Sequence, residues 1–191
     1  MSERDTRGEL LDLAEKLVRT RGYNGFSYRD LAGQIGIKTA SVHYHFPTKG
    51  DLGEAMVENE RELFARNLAR LDAEEKDPQR RLERFIQLFQ ASTIGCDNRM
   101  CLGAMLAVEQ ETLPEPVRRA VLRLFEHNEA WLAKVLEEGR EQQTFRFKGP
   151  ADGAARFVFS ALEGALLMAR AFRDVGRFEA ATRWIIESLS D

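Results

Sequence analysis

Between Lys38 and His45 the chain sets hydrogen-bonding side chains almost back to back: Lys38, Thr39, Ser41, His43, Tyr44 and His45, with only Ala40 and Val42 apolar. An ammonium group, hydroxyls and imidazoles can reach base edges or phosphate oxygens. The same types do not add up to catalysis. His43, His45 and His127 are the only histidines, and none stands in a pattern with a nucleophile and an orienting acid. Cys96 and Cys101 lack the second cysteine pair or nearby histidine that a zinc site needs, so no metal or cofactor is expected. Two cysteines also suit a reducing compartment rather than a disulfide framework. Cys101 has the best case for reactivity. With Asn98 as N-cap it would occupy the third helical position, in the positive end of a helix dipole and near Arg99, which favours the thiolate. The competing reading is a small buried residue at a helix start.

These side chains need elements to carry them, and the N-terminal pattern supplies four helices. Thr6 and Glu9 fit a capping box, followed by Leu10, Leu13, Ala14, Leu17 and Val18 at helical spacing, with Gly22 as the stop. Ser27 and Asp30 open a short second helix, and Gly36 supplies a tight turn. A third short helix over about 39–45 buries Val42. Thr48 and Asp51 open a long fourth helix over about 49–73. Two short helices joined by a glycine turn and braced on both sides have helix-turn-helix geometry, although a piece of ordinary helical bundle has the same periodicity.

The rest reads as helix throughout. Asp77-Pro78 starts a fifth helix, a sixth begins near Asn98 and stops at Leu113-Pro114, and Glu115-Pro116 starts a seventh. An eighth covers about 151–173 and a ninth about 177–189. The expectation is an all-α chain of about nine helices without strands. Residues 1–50 would form a helix-turn-helix DNA-binding domain, and residues 51–191 a ligand-binding and dimerisation domain. Phe85, Phe89, Met105, Phe125, Trp131 and Met168 could line an apolar pocket for a small-molecule effector, though aromatic residues at helical spacing equally make core. Phe157, Ala161, Leu162 and Ala165 on the eighth helix, with Ile185 and Leu189 on the ninth, could pair across a two-fold axis as a four-helix bundle in a homodimer.

Composition sets the limits. A chain of 191 residues, 43% hydrophobic and 31% charged, is globular rather than disordered. The stretch 157–172 carries Glu163 and Arg170 and is too short and charged for a membrane span. With no apolar signal region at the N-terminus, a cytoplasmic protein without a membrane partner is expected. The net charge is −3, and the cations of the first 55 residues are matched one for one by carboxylates. DNA binding here would rest on a few placed cations rather than a broad basic field.

The run Gly25-Phe26-Ser27-Tyr28-Arg29-Asp30-Leu31-Ala32, then Ile35-Gly36-Ile37 and Ser41-Val42-His43-Tyr44-His45-Phe46-Pro47-Thr48-Lys49 with Leu52, resembles the signature of the TetR family of bacterial regulators. By motif the resemblance covers about the first quarter of the chain, and the nine-helix plan covers all of it. It implies a homodimer on palindromic double-stranded operator DNA, a repressor released when a small molecule enters the C-terminal domain. The third helix would enter the major groove presenting Lys38, Thr39, Ala40, Ser41, His43 and Tyr44, with the Ala40 methyl able to meet a thymine methyl and His45 near phosphate. Arg29 matches a position that often reaches a base or phosphate, and Lys49 with the N–H groups of its helix's first turn would hold a phosphate. His43 departs from the tyrosine more frequent there. Cys101-Leu102-Gly103-Ala104 and Glu109 also resemble a subgroup whose cysteine senses electrophiles or oxidants, but Arg170 stands where some such sensors have lysine. The rival reading is an all-helical small-molecule-binding protein or enzyme without DNA binding.

Overall fold

Asp5 opens the first helix: its carboxylate accepts the Gly8 N–H at 2.9 Å. Helix α1 therefore runs Thr6–Arg21 with Asp5 as N-cap, one residue before the expected Thr6. A carboxylate there also complements the positive helix end. The structure, a computed structural model, describes residues 5–95 and 99–190. After a 3-10 turn at Tyr23–Gly25 come α2 (Tyr28–Ile35), α3 (Thr39–His45) and α4 (Lys49–Glu74). Then follow α5 (Pro78–Ser92), α6 (Leu102–Ala107), a 3-10 turn at Gln110–Thr112, α7 (Glu115–Glu141), α8 (Ala151–Phe172) and α9 (Val175–Ser190). Among the described residues there are nine α-helices and no strand, as the periodicity requires. No described helix is long and apolar enough to cross a membrane.

The sixth helix differs from its expected span. It has six residues starting at Leu102. The Glu109 N–H turns back to Leu106 O, three residues away, which tightens the chain into the 3-10 turn before Leu113. Cys101 thus stands directly before the helix instead of at its third position. Asn98, expected as its N-cap, and Cys96 lie outside the described residues.

The chain forms two compact units. One comprises Met1–Glu62 with Leu102–Leu124, and the other Leu63–Cys101 with Phe125–Asp191. The first is larger than the 1–50 segment expected to read DNA. Its core gathers Leu10, Leu31, Val42, Leu52, Val57, Leu106 and Val117, all fully buried. Buried Arg19 pairs with Glu15 and Glu60 at 2.8 Å each, tying α1 to α4. In the second unit α8 and α9 pack along their lengths. Phe89 lies between Phe159 and Phe178, and Phe85 stacks on Trp131 with centroids 5.3 Å apart. Each fully buried phenyl group contributes about 2–3 kcal/mol to holding these helices together.

Candidate nucleic-acid interface

Gly36 makes the bend that separates α2 from α3. At φ 76° and ψ 36° it is left-handed, and its N–H and that of Ile37 both return to Ala32 O. A side chain at that φ would be strained. Upstream, Ser27 donates through N–H and hydroxyl to Asp30, both at 2.7 Å, so the expected capping box sets where α2 begins. The hydrogen bonds from Ser27 hold the Asp30 carboxyl below the usual range.

The seven residues of α3 bury only Val42. Lys38, Thr39, Ala40, His43 and Tyr44 are exposed, and Ser41 and His45 partly so. Tyr44 is 84% exposed, which leaves a large aromatic side chain with almost no protein beneath it. A helix so lightly committed to its own core is free to be covered by something else. Behind it, the Tyr28 hydroxyl bridges the carbonyls of Phe46, at 2.9 Å, and Thr48. Burial, then the Asp51 charge, push this phenol up to about 12, so it stays neutral and hydrogen-bonding. The Tyr28 ring also meets His43 edge-on at 4.7 Å. His43 Nδ1 lies 3.2 Å from Pro47 O. The tautomer protonated there leaves Nε2 as an acceptor, so donation to phosphate from Nε2 requires the imidazolium.

Lys49 is placed differently from the exposed phosphate contact expected. Its ammonium turns inward, donating to Tyr23 O at 2.6 Å and to Phe26 O, between the Tyr23 and Phe26 rings at 4.7 and 4.2 Å. Burial pulls its pKa below the usual lysine range, against the opposing pull of Glu109 and Asp30. The first turn of α4 is also partly self-capped: Asp51 accepts from the Thr48 N–H and hydroxyl, and the Asp51 N–H donates to Thr48. Arg29 is exposed on the first turn of α2. Sequence reasoning passed over Arg7, an exposed cation 5.1 Å over the Phe46 ring at the end of α3. Glu109, named in the sequence only as part of the resemblance around Cys101, accepts from the backbone N–H groups of Tyr23 and Asn24. Neither contact has a local sequence signal, because each joins partners far apart along the chain.

The six residues expected to line a pocket stand in different surroundings. Phe85, Phe89 and Trp131 are close-packed core. Phe125 is half-buried with its edge to Phe159, Met168 is exposed, and Met105 belongs to the first unit. Among the buried polar atoms of the second unit with no hydrogen-bond partner among the described residues are Trp131 Nε1 and Asn128 Oδ1, a donor and an acceptor one turn apart on α7. Cys101 is half-buried.

Of the residues expected at a dimer interface, Leu162, Ile185 and Leu189 are buried within the chain. Helical period splits α8 into two faces. Val158, Leu162, Leu166 and Ala169 point inward, while Phe157, Gly164 and Met168 are exposed and Ala161 and Ala165 half-exposed. Trp184 on α9 is 71% exposed.

Comparison with known proteins agrees with this geometry. Residues 10–56 match the model for bacterial regulatory proteins of the tetR family, and residues 78–185 match the tetracyclin repressor-like C-terminal domain. A TetR-family transcriptional regulator from Agrobacterium tumefaciens superposes with a TM-score of 0.93 at 33% identity, covering 98% of this chain and 99% of that one. The nucleoid occlusion factor SlmA of Vibrio atlanticus is 30% identical over 84% of this chain and 81% of its own length. The transcriptional repressor NemR of Escherichia coli is 28% identical over 94% and 92%.

Proposed function

The chain belongs to the TetR family of bacterial regulatory proteins, and from that premise we propose that it is a repressor that binds a palindromic operator as a homodimer and releases it when a small molecule occupies the second unit. It is a DNA-binding transcriptional regulator, as its relatives are. The observation that carries the DNA-reading assignment is α3, whose polar side chains stand exposed around a single buried valine. Thr39 and Ser41 reach base edges, with Ala40 against a thymine methyl. Lys38, Arg29, Arg7, Tyr44 and the two histidines contact phosphate or flank it. Lys49 acts from behind by holding the preceding turn. The few cations available keep nonspecific binding weak, since the first unit carries no broad basic field.

For the effector, the supporting feature is the unpaired Trp131 indole N–H beside the unpaired Asn128 carbonyl. Buried groups of this kind nearly always have a partner. A small molecule carrying both an acceptor and a donor next to a flat apolar part would satisfy them against Phe85. Cys101, half-buried before α6, remains the residue at which an electrophile or oxidant would act instead.

Selection from random duplex DNA tests the reading. The wild-type protein should enrich a palindrome with half-sites about 34–36 Å apart, and Thr39→Ala or Ser41→Ala should change the enriched bases. Enrichment of no sequence would overturn it.

A further inference from the structure

The turn between α1 and α2 is held by three residues remote from it in sequence. Glu109, which follows α6, accepts from the N–H groups of Tyr23 at 2.6 Å and Asn24 at 3.1 Å, and from the Asn24 side-chain amide at 2.7 Å. Thr112 Oγ1 also accepts from that amide nitrogen, at 2.8 Å. Lys49 supplies the opposite polarity, donating to the carbonyls of Tyr23 and Phe26. Gly22, at φ 80°, has no room for a Cβ because the Glu109 carboxylate fills that space. Two successive N–H groups converging on one carboxylate make an anion nest, filled here by the chain itself.

Elsewhere the segment Leu102–Leu124 meets α4 through Pro114 at Gly50, Val117 at Gly53, and Arg123 at Glu54 and Glu58. Within this segment Glu109 and Thr112 place polar side chains on the turn. That turn runs straight into Ser27, where α2 starts, and α2 leads through Gly36 into α3. We propose that Glu109, outside the helix-turn-helix, is a positioning residue for DNA reading: its carboxylate fixes the turn from which α2 and α3 depart, so operator affinity depends on the segment 102–124 being in place. This rests on α3 being the DNA-reading helix.

Glu109→Gln keeps the size and removes the charge, leaving one neutral oxygen for three donors. Amide hydrogen exchange at Tyr23 and Asn24 should speed up about tenfold, with the Leu31 and Val57 amides unchanged. Affinity for the duplex selected by the wild type should fall roughly tenfold, while Glu109→Asp, which keeps the charge, should recover part of it. Should Glu109→Gln unfold, Asn24→Ala cuts the same clamp more gently and should weaken operator binding about threefold. Faster exchange at both amides with unchanged operator affinity would overturn the proposal, as would unchanged exchange. A wild type that selects no duplex removes the DNA-reading assignment and this proposal with it, and that failure appears before any substitution is made.

Discussion

Lys49 illustrates how a residue of the right type in the right motif can do a different task. As a lysine at the head of a helix it looks like a phosphate ligand. Its ammonium instead holds two carbonyls of the same unit, 26 and 23 residues back, between two aromatic rings. Those separations are why its own neighbourhood in the sequence points outward. Lys49→Met keeps the aliphatic stem and removes the charge. The loss of charged hydrogen bonds, part-exposed and so at the lower end of their range, should cost about 1–2 kcal/mol of stability, read as a lower denaturant midpoint. The salt slope of operator binding should stay as in wild type. An unchanged midpoint with a slope reduced by about one would return Lys49 to the phosphate backbone. Arg7→Ala should give that second pattern, since Arg7 is exposed and stacked on Phe46.

At the scale of elements, α2 and α3 behave as one piece because Tyr28 ties the start of α2 to the turn after α3. Its hydroxyl holds the carbonyls of Phe46 and Thr48, and its pKa is raised from 10.0 to about 12 by burial and then by Asp51 and Tyr23. The folded state therefore keeps this proton to higher pH than the unfolded chain does. Its contribution is complete below pH 10 and is lost as pH rises through about 12. At pH 7 Tyr28→Phe should be less stable than wild type by about 1–2 kcal/mol. In urea denaturation repeated across pH 10–12 that gap should close; a constant gap would mean that folding leaves the phenol's pKa where it is in the unfolded chain. Much of this element plan is legible in the sequence where the signal spans three or four residues. The Ser27–Asp30 and Thr48–Asp51 boxes, Asp77-Pro78 and Gly36 are all of that kind. The short α6 is not, because Glu109 turns away to a partner 86 residues distant. Both faces of α8 carry apolar residues in the sequence, and packing against α9 tells the inner one from the outer.

For the whole molecule the open face of α8 and α9 matters most, because under the proposed function one copy of α3 would read only half of a palindrome. Phe157 is 59% exposed, Met168 46% and Trp184 71%, while small Gly164, Ala161 and Ala165 lie between them on α8. Large apolar side chains beside small ones, left open to solvent, form the surface that a two-fold copy can cover with close helix approach. Leu162, Ile185 and Leu189 hold α8 against α9 within one chain, so changing them would unfold the unit and say little about assembly. Phe157→Glu and Trp184→Glu are the cleaner tests, because both side chains are exposed in a single chain and a carboxylate there leaves its fold intact. Across an interface the same carboxylate would be buried without a partner, a penalty of several kcal/mol. Wild-type protein should sediment as a dimer at micromolar concentration, and the double variant as a folded monomer with an unchanged far-ultraviolet helical signal. Operator binding should then collapse to weak half-site affinity, although α3 is untouched. A double variant that still sediments as a dimer would move the interface off this face.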